Sequence, residues 1–195
     1  MAANLSAPGR ANAMTDRGRL AIRSTRSSVC FALVVLGSAA LPASAADLTW
    51  FVQGGDGDRA TTEATVGLTR HWASEGRWSV YAEAALGEWF THDHAEGMRT
   101  RFTHVGLTPV VRYVFAELLF VEAGIGLQAV IPRFHDEGRR FSTVFQFGDH
   151  LAIGTRFGAT NDDEVSFRVE HFSNGGIRNP NPGQNFLELR YAHHF

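Results

Sequence analysis

The 195-residue chain has one cysteine, Cys30, and it lies in an N-terminal stretch that reads as a cleavable leader. Without it the remaining chain has no thiol nucleophile, no disulfide and no cysteine metal site. There is also no block of basic residues and little charge imbalance, a formal net charge of −2. Nucleic acid is therefore not an expected partner. Helical periodicity of useful length is missing, and so is any apolar run approaching the roughly 20 residues of a spanning helix. Nothing in the composition marks a linker or a second domain.

The leader follows a familiar order. An Arg- and Ser-rich region (Arg10, Arg17, Arg19, Arg23, Arg26) precedes the apolar run Val29 to Leu36, and small residues Ala43-Ser44-Ala45-Ala46 follow. That order predicts a secretory signal over residues 1–45, cut after Ala45 or Ala46, with Met14 as an alternative start. Residues 46–195 then form a single domain of about 150 residues.

What the mature chain does have is period-two alternation. Val80, Ala82, Ala84 and Leu86 alternate with Ser79, Glu83 and Gly87; Val105, Leu107, Pro109 and Val111 alternate with His104, Gly106, Thr108 and Arg112. Leu119 to Leu127 and Leu187 to Tyr191 do the same. Eight such runs fall near 48–55, 61–72, 77–90, 101–115, 117–130, 143–158, 164–173 and 185–195. Their second face is rich in Gly, Thr, Glu, Arg and His, while the larger apolar side chains share the first. Trp50, Trp72, Trp78, Trp89, Tyr113 and Phe115 sit near run ends, as in an aromatic girdle. The pattern predicts an all-β fold, an eight-stranded antiparallel transmembrane β-barrel of the bacterial outer membrane. Closure removes the strand edges that lipid could not satisfy. A soluble lipocalin-like barrel is the competing reading, with the apolar face turned inward. Loop lengths agree with the membrane form: short turns near 73–76, 116 and 159–163, and mostly longer polar loops near 56–60, 91–100, 131–142 and 174–184. Glu63, Glu83, Glu88, Glu122, Arg112, Arg156, Arg168 and Glu170 are expected to pair inside, since buried charges need partners.

The seventh run ends in Glu170-His171-Phe172-Ser173-Asn174-Gly175-Gly176. Alternation puts His171 and Ser173 on one face with Val165, Phe167 and Val169, at a Cα spacing of roughly 6.5–7 Å. A hydroxyl becomes a useful nucleophile when a neighbouring base takes its proton, so Ser173 and His171 are a candidate pair. Glycines after the serine leave backbone N–H groups able to meet an oxyanion. By residue type alone His-x-Ser is common and carries little weight.

The stretch His171-Phe172-Ser173-Asn174-Gly175-Gly176, followed by Asn179-Pro180-Asn181-Pro182-Gly183, resembles the signature of the lipid A 3-O-deacylase (PagL-type) family. The resemblance covers about 25 residues and combines residue type, spacing and position in the last hairpin; elsewhere it rests on length and barrel pattern. It implies an eight-stranded outer-membrane esterase that removes the 3-O-linked acyl chain from lipid A of lipopolysaccharide and needs no cofactor. It makes Ser173 the nucleophile, His171 the general base and the backbone of Asn174, Gly175 and Gly176 the oxyanion hole. Substrate and surrounding lipid reach the site from the outer leaflet.

One departure stands out. Where the family pattern has a glutamate to orient the histidine, this chain has Asn185, facing the same side as His171. An amide oxygen can hold a histidine, though without the charge of a carboxylate. Glu188 has the wrong parity and points inward. Asp149, the one charged residue on the face of Phe145, Phe147, Leu151 and Ile153, is the alternative partner, expected within a residue or two of Ser173. A decayed site in an OmpX-like structural or interaction barrel, and an acyl hydrolase acting on phospholipid, are the other readings. His193 and His194 should point to opposite faces, which disfavours a shared metal, and His92, Asp93, His94 and Glu96 read as a polar loop. A monomer and a homodimer are both compatible with these residues.

Overall fold

The structure is a computed structural model, and it describes residues 48–93, 98–136 and 138–195. The leader lies outside the described residues. So does the loop group His92, Asp93, His94 and Glu96, in whole or at the level of side chains. Eight long strands follow one another: β1 (Leu48–Gly57), β2 (Thr62–Glu75), β3 (Trp78–Asp93), β4 (Met98–Val114), β5 (Leu119–Ile131), β6 (Phe145–Phe157), β7 (Asp163–Ser173) and β8 (Gln184–His194). Each pairs antiparallel with its sequence neighbours, and β1 pairs with β8 to close the barrel. The expected strand count and order are those observed. One loop is shorter than expected: β3 and β4 continue their pairing to Asp93↔Met98, so the 91–100 region is mostly strand.

Alternation decides which side chain meets which solvent. Leu151 is 68% exposed, Phe167 62% and Leu187 60%, and they belong to a continuous outward band with Leu68, Leu107, Ile125, Leu127, Val169 and Leu189. So large a continuous apolar surface would be insoluble in water, and it suits a bilayer. The soluble inside-out alternative is thereby excluded. At the end that carries Leu48 and Phe195, Trp72, Trp78 and Phe195 are exposed and Trp78 packs against Tyr113, with ring centroids 4.6 Å apart. These form the girdle. Trp89 does not join it: it points inward and is fully buried, because its parity is that of Tyr81 and Glu83.

Two layers fill the barrel. The first is ionic. Arg168 binds Glu83 through two hydrogen bonds of 2.8 and 3.0 Å and reaches Glu122 at 3.4 Å. Arg112 pairs with Glu122 at 2.8 Å and with Glu164 at 2.6 Å, while Arg190 also bonds Glu83. Glu63 and Glu170 are buried among them, and Arg156 reaches Glu164 from the rim. Glu88 departs from expectation: it shares parity with Leu86 and Phe90, lies on the outer wall and pairs with Arg101 at 3.4 Å. Removing one member of a buried network strands the others. Arg168→Met should therefore lower the unfolding free energy by about 3–5 kcal/mol. Urea titration of the detergent-folded barrel, followed by tryptophan fluorescence, measures this; an unchanged midpoint would show the network to be dispensable.

The second layer, at the opposite end from Leu48 and Phe195, is mostly aromatic: Trp89, Phe102, Val130, Phe134, Phe141, Phe172 and Phe186 pack together, all nearly or wholly buried. Phe134 and Phe141 come from the β5–β6 loop, which carries a two-residue ribbon pairing His135–Asp136 with Arg139–Arg140 and folds across the barrel mouth. The interior is thus less uniformly polar than alternation suggested. Phe172, between His171 and Ser173, packs its ring 4.7 Å from Trp89, centroid to centroid, and so anchors the end of β7.

Candidate active site

The site is built on three adjacent strands. Across β6, β7 and β8 the register sets Asp149 opposite His171 and His171 opposite Asn185, a row of three outward side chains. Two pairs further along, on the same face, Phe147 lies opposite Ser173. Asp149 is therefore two residues from the position opposite Ser173, as strand folding predicted. The Nδ1 atom of His171 makes its 2.7 Å hydrogen bond to Oδ1 of Asn185, not to Asp149. Both His171 and Ser173 are half-buried and Asn185 is exposed on the lipid side. Glu188 points inward, where Gln53 donates to its carboxylate at 2.9 Å.

The loop after Ser173 is tightly knit. Asn174 is fully buried; its Nδ2 donates to the Arg178 carbonyl at 2.7 Å and to Ser142 Oγ at 3.0 Å. The Asn174 N–H donates to Asn181 Oδ1, and the Gly176 N–H to Asn174 Oδ1, each at 3.0 Å. Two of the three N–H groups expected to face an oxyanion are thus already engaged within the loop. The third, on Gly175, points at Ser173 Oγ at 3.4 Å, the one hydrogen-bond partner of that hydroxyl among the described residues. Gly175 itself has φ +64°, a left-handed conformation that glycine adopts without strain.

Three contacts around the site escape sequence reasoning, one of them made by a glycine of the signature. Gly183 has φ +68°, and a Cβ there would lie 2.7 Å from His171 Cε1, so only a glycine leaves room for the imidazole. Arg139, from the ribbon over the mouth, donates to the Gly183 carbonyl. Asp58, just beyond β1, accepts from Asn185 Nδ2 at 2.8 Å and from the Asn185 backbone N–H at 3.2 Å. The one available signal for Asp58 was parity: it continues the outward series Val52, Gly54, Asp56.

Two concavities adjoin the site. A groove of about 580 Å³ runs along the lipid face from His171 and Asp149 past Leu151, Ala123, Ile125 and Val111. A recess of about 280 Å³ near the mouth is bordered by Arg133, Arg140 and Arg178. Among the described residues no group of three or more His, Cys, Asp or Glu is arranged to hold a metal ion. His193 and His194 do face opposite ways: His193 meets Asp163 on the outside at 2.9 Å, and His194 meets Glu164 inside at 2.9 Å.

Residues 58–194 match the family model for lipid A 3-O-deacylase (PagL). The chain belongs to this family. Within the lipid A 3-O-deacylase family, the lipid A deacylase PagL of Bordetella bronchiseptica is 33% identical over 122 residues, which make up 62% of this chain and 65% of that protein, just under two thirds of its length. The lipid A deacylase PagL of Pseudomonas aeruginosa is 31% identical over 136 residues, 65% of this chain and 74% of that protein. The fold is similar to that in the crystal structure of the outer membrane enzyme PagL, with a TM-score of 0.62 and 24% identity over 75% of this chain and 99% of that one. A lipid A 3-O-deacylase-family barrel with this apolar outer wall is an outer-membrane protein.

Proposed function

We propose that this chain is an outer-membrane serine esterase that removes the 3-O-linked acyl chain from lipid A. The observation that carries the reading is the outward row of Asp149, His171 and Asn185 with Ser173 two residues along on the same face, on the wall that faces lipid. Nδ1 of His171 is engaged by Asn185, which leaves Nε2 to take a proton. In the first step Ser173 Oγ attacks the ester carbonyl carbon while His171 Nε2 takes the hydroxyl proton. The Gly175 N–H stabilises the negative oxygen. Collapse breaks the C–O bond to the sugar, and the imidazolium returns its proton to the leaving hydroxyl. Water, activated by His171, then attacks the acyl-serine and releases the fatty acid with regenerated Ser173.

Location supports the substrate class. The site lies at the end opposite the start of β1 and the end of β8, on the side of the longer loops, which in an outer-membrane barrel faces the outer leaflet, where lipopolysaccharide resides. The groove beside His171 suits an acyl chain entering sideways, and the recess of Arg133, Arg140 and Arg178 suits an anionic headgroup. Mass spectrometry of lipid A from a host expressing the chain tests the reading. The expected spectrum lacks one 3-hydroxyacyl group, and the loss disappears with Ser173→Ala. Intact lipid A from a well-assembled barrel would overturn the assignment, and phospholipid cleavage in its place would select the phospholipid substrate.

A further inference from the structure

In this chain the missing carboxylate of the site returns one step removed, from the opposite end of the sequence. We infer that Asp58 is a positioning residue for His171, acting through the side chain of Asn185; the inference rests on Ser173 and His171 being the reacting pair. Asp58 Oδ2 receives both the Nδ2–H and the backbone N–H of Asn185, at 2.8 and 3.2 Å. A carboxylate only accepts, so the amide must present its nitrogen to Asp58 and its oxygen to His171. An amide oxygen also only accepts, so the proton on the bonded ring nitrogen sits on Nδ1. The Nε2 atom is then the unprotonated one, in the tautomer a general base toward Ser173 needs. Without Asp58 the amide is free to flip, and a flipped amide offers Nδ2–H to Nδ1 and selects the wrong tautomer.

The carboxylate also supplies charge. When His171 takes the serine proton, the imidazolium faces an amide whose far end is hydrogen-bonded to an anion, and a charge-assisted bond polarises that amide. Barrel closure makes the arrangement. The β1–β8 register runs to Gly57↔Phe186, so the next position along sets Asp58 beside Asn185, at the one seam joining the two ends of the barrel. The Asp58 backbone is itself held, its carbonyl accepting from the Thr61 N–H at 3.2 Å and from Gln184 Nε2 at 3.3 Å.

The test exchanges the two side chains. Asp58→Asn is isosteric and keeps a hydrogen-bond partner for Asn185, so a role in folding alone predicts no change. The inference predicts a kcat on lipid A about tenfold lower with KM unchanged, the size of a charge-assisted bond exchanged for a neutral one. The double variant Asp58→Asn/Asn185→Asp brings a carboxylate directly onto Nδ1 and should restore kcat to at least the starting value. A second readout does not depend on the natural substrate: the rate at which an alkyl fluorophosphonate phosphonylates Ser173 Oγ, with fluoride as the leaving group. It should fall and recover in the same order, with far-UV circular dichroism confirming an intact barrel. Asp58→Asn labelled and turning over at the unaltered rate overturns the role of Asp58 and leaves the serine esterase standing. An intact barrel whose Ser173 never labels overturns both. Labelling that follows the predicted order while lipid A stays uncleaved upholds Asp58 and removes only the substrate.

Discussion

Ser173→Ala and His171→Ala should each lower kcat on lipid A by about 10⁴- to 10⁶-fold, and the double variant should lose little more, because members of one catalytic unit are grossly non-additive. The reasoning starts from what each atom does alone. A serine hydroxyl without a base is a poor nucleophile at neutral pH, and an imidazole without the hydroxyl has no acyl acceptor placed for it. Either deletion therefore leaves the same residual: substrate held on the barrel wall and the Gly175 N–H beside the carbonyl oxygen. Single-turnover measurements on detergent-solubilised lipopolysaccharide give the three rates. Losses that multiplied would mean the two residues act separately, and the proposed mechanism would be wrong. The barrel should fold in all three variants, since both side chains face outward and neither belongs to the ionic or aromatic layer.

Gly183→Ala carries the second-largest expected effect, about 10²-fold in kcat, comparable to displacing a catalytic group by about 1 Å. Two causes act together. The backbone there has φ +68°, where an L-residue is strained, and the new methyl would lie 2.7 Å from His171 Cε1. The ring must swing away, which loosens its bond to Asn185 and moves Nε2 relative to Ser173. By contrast, Gly176→Ala meets nothing within 4 Å. It shares the positive-φ strain but not the clash, with φ +79°, and so separates the two causes. Kinetics of both variants, compared at equal folded fraction, decide it. Equal losses would assign the effect to backbone strain and clear the contact with His171.

How much of this was legible beforehand follows from the length scale of each feature. Parity is local, so the placement of His171, Ser173, Asn185 and Asp149 on the lipid side and of Glu188 inside could be read from neighbours two residues away. Hairpin register is nearly local, which is why folding β6 on β7 located Asp149 to within two residues of its place. The choice between Asn185 and Asp149 lay beyond that reach. Both flank His171 in the same row, and only the side-chain geometry directs Nδ1 to Asn185. Trp89 and Glu88 depart from expectation for a different reason: the one lies near a strand end and the other carries a charge, but parity decides the face of each.

By itself the sequence determined the number of strands, the lipid-facing wall and the placement of a histidine and a serine two residues apart on that wall. Each follows from a period of two repeated in every strand. Only the tertiary structure decided that Asp58 stands behind Asn185, that Gly183, held by Arg139, borders the imidazole, and that an aromatic layer supports the end of β7. Those contacts depend on how the first strand meets the last and how the β5–β6 loop lies over the mouth. Closure register and loop placement are settled by the whole barrel at once, and no local pattern encodes them.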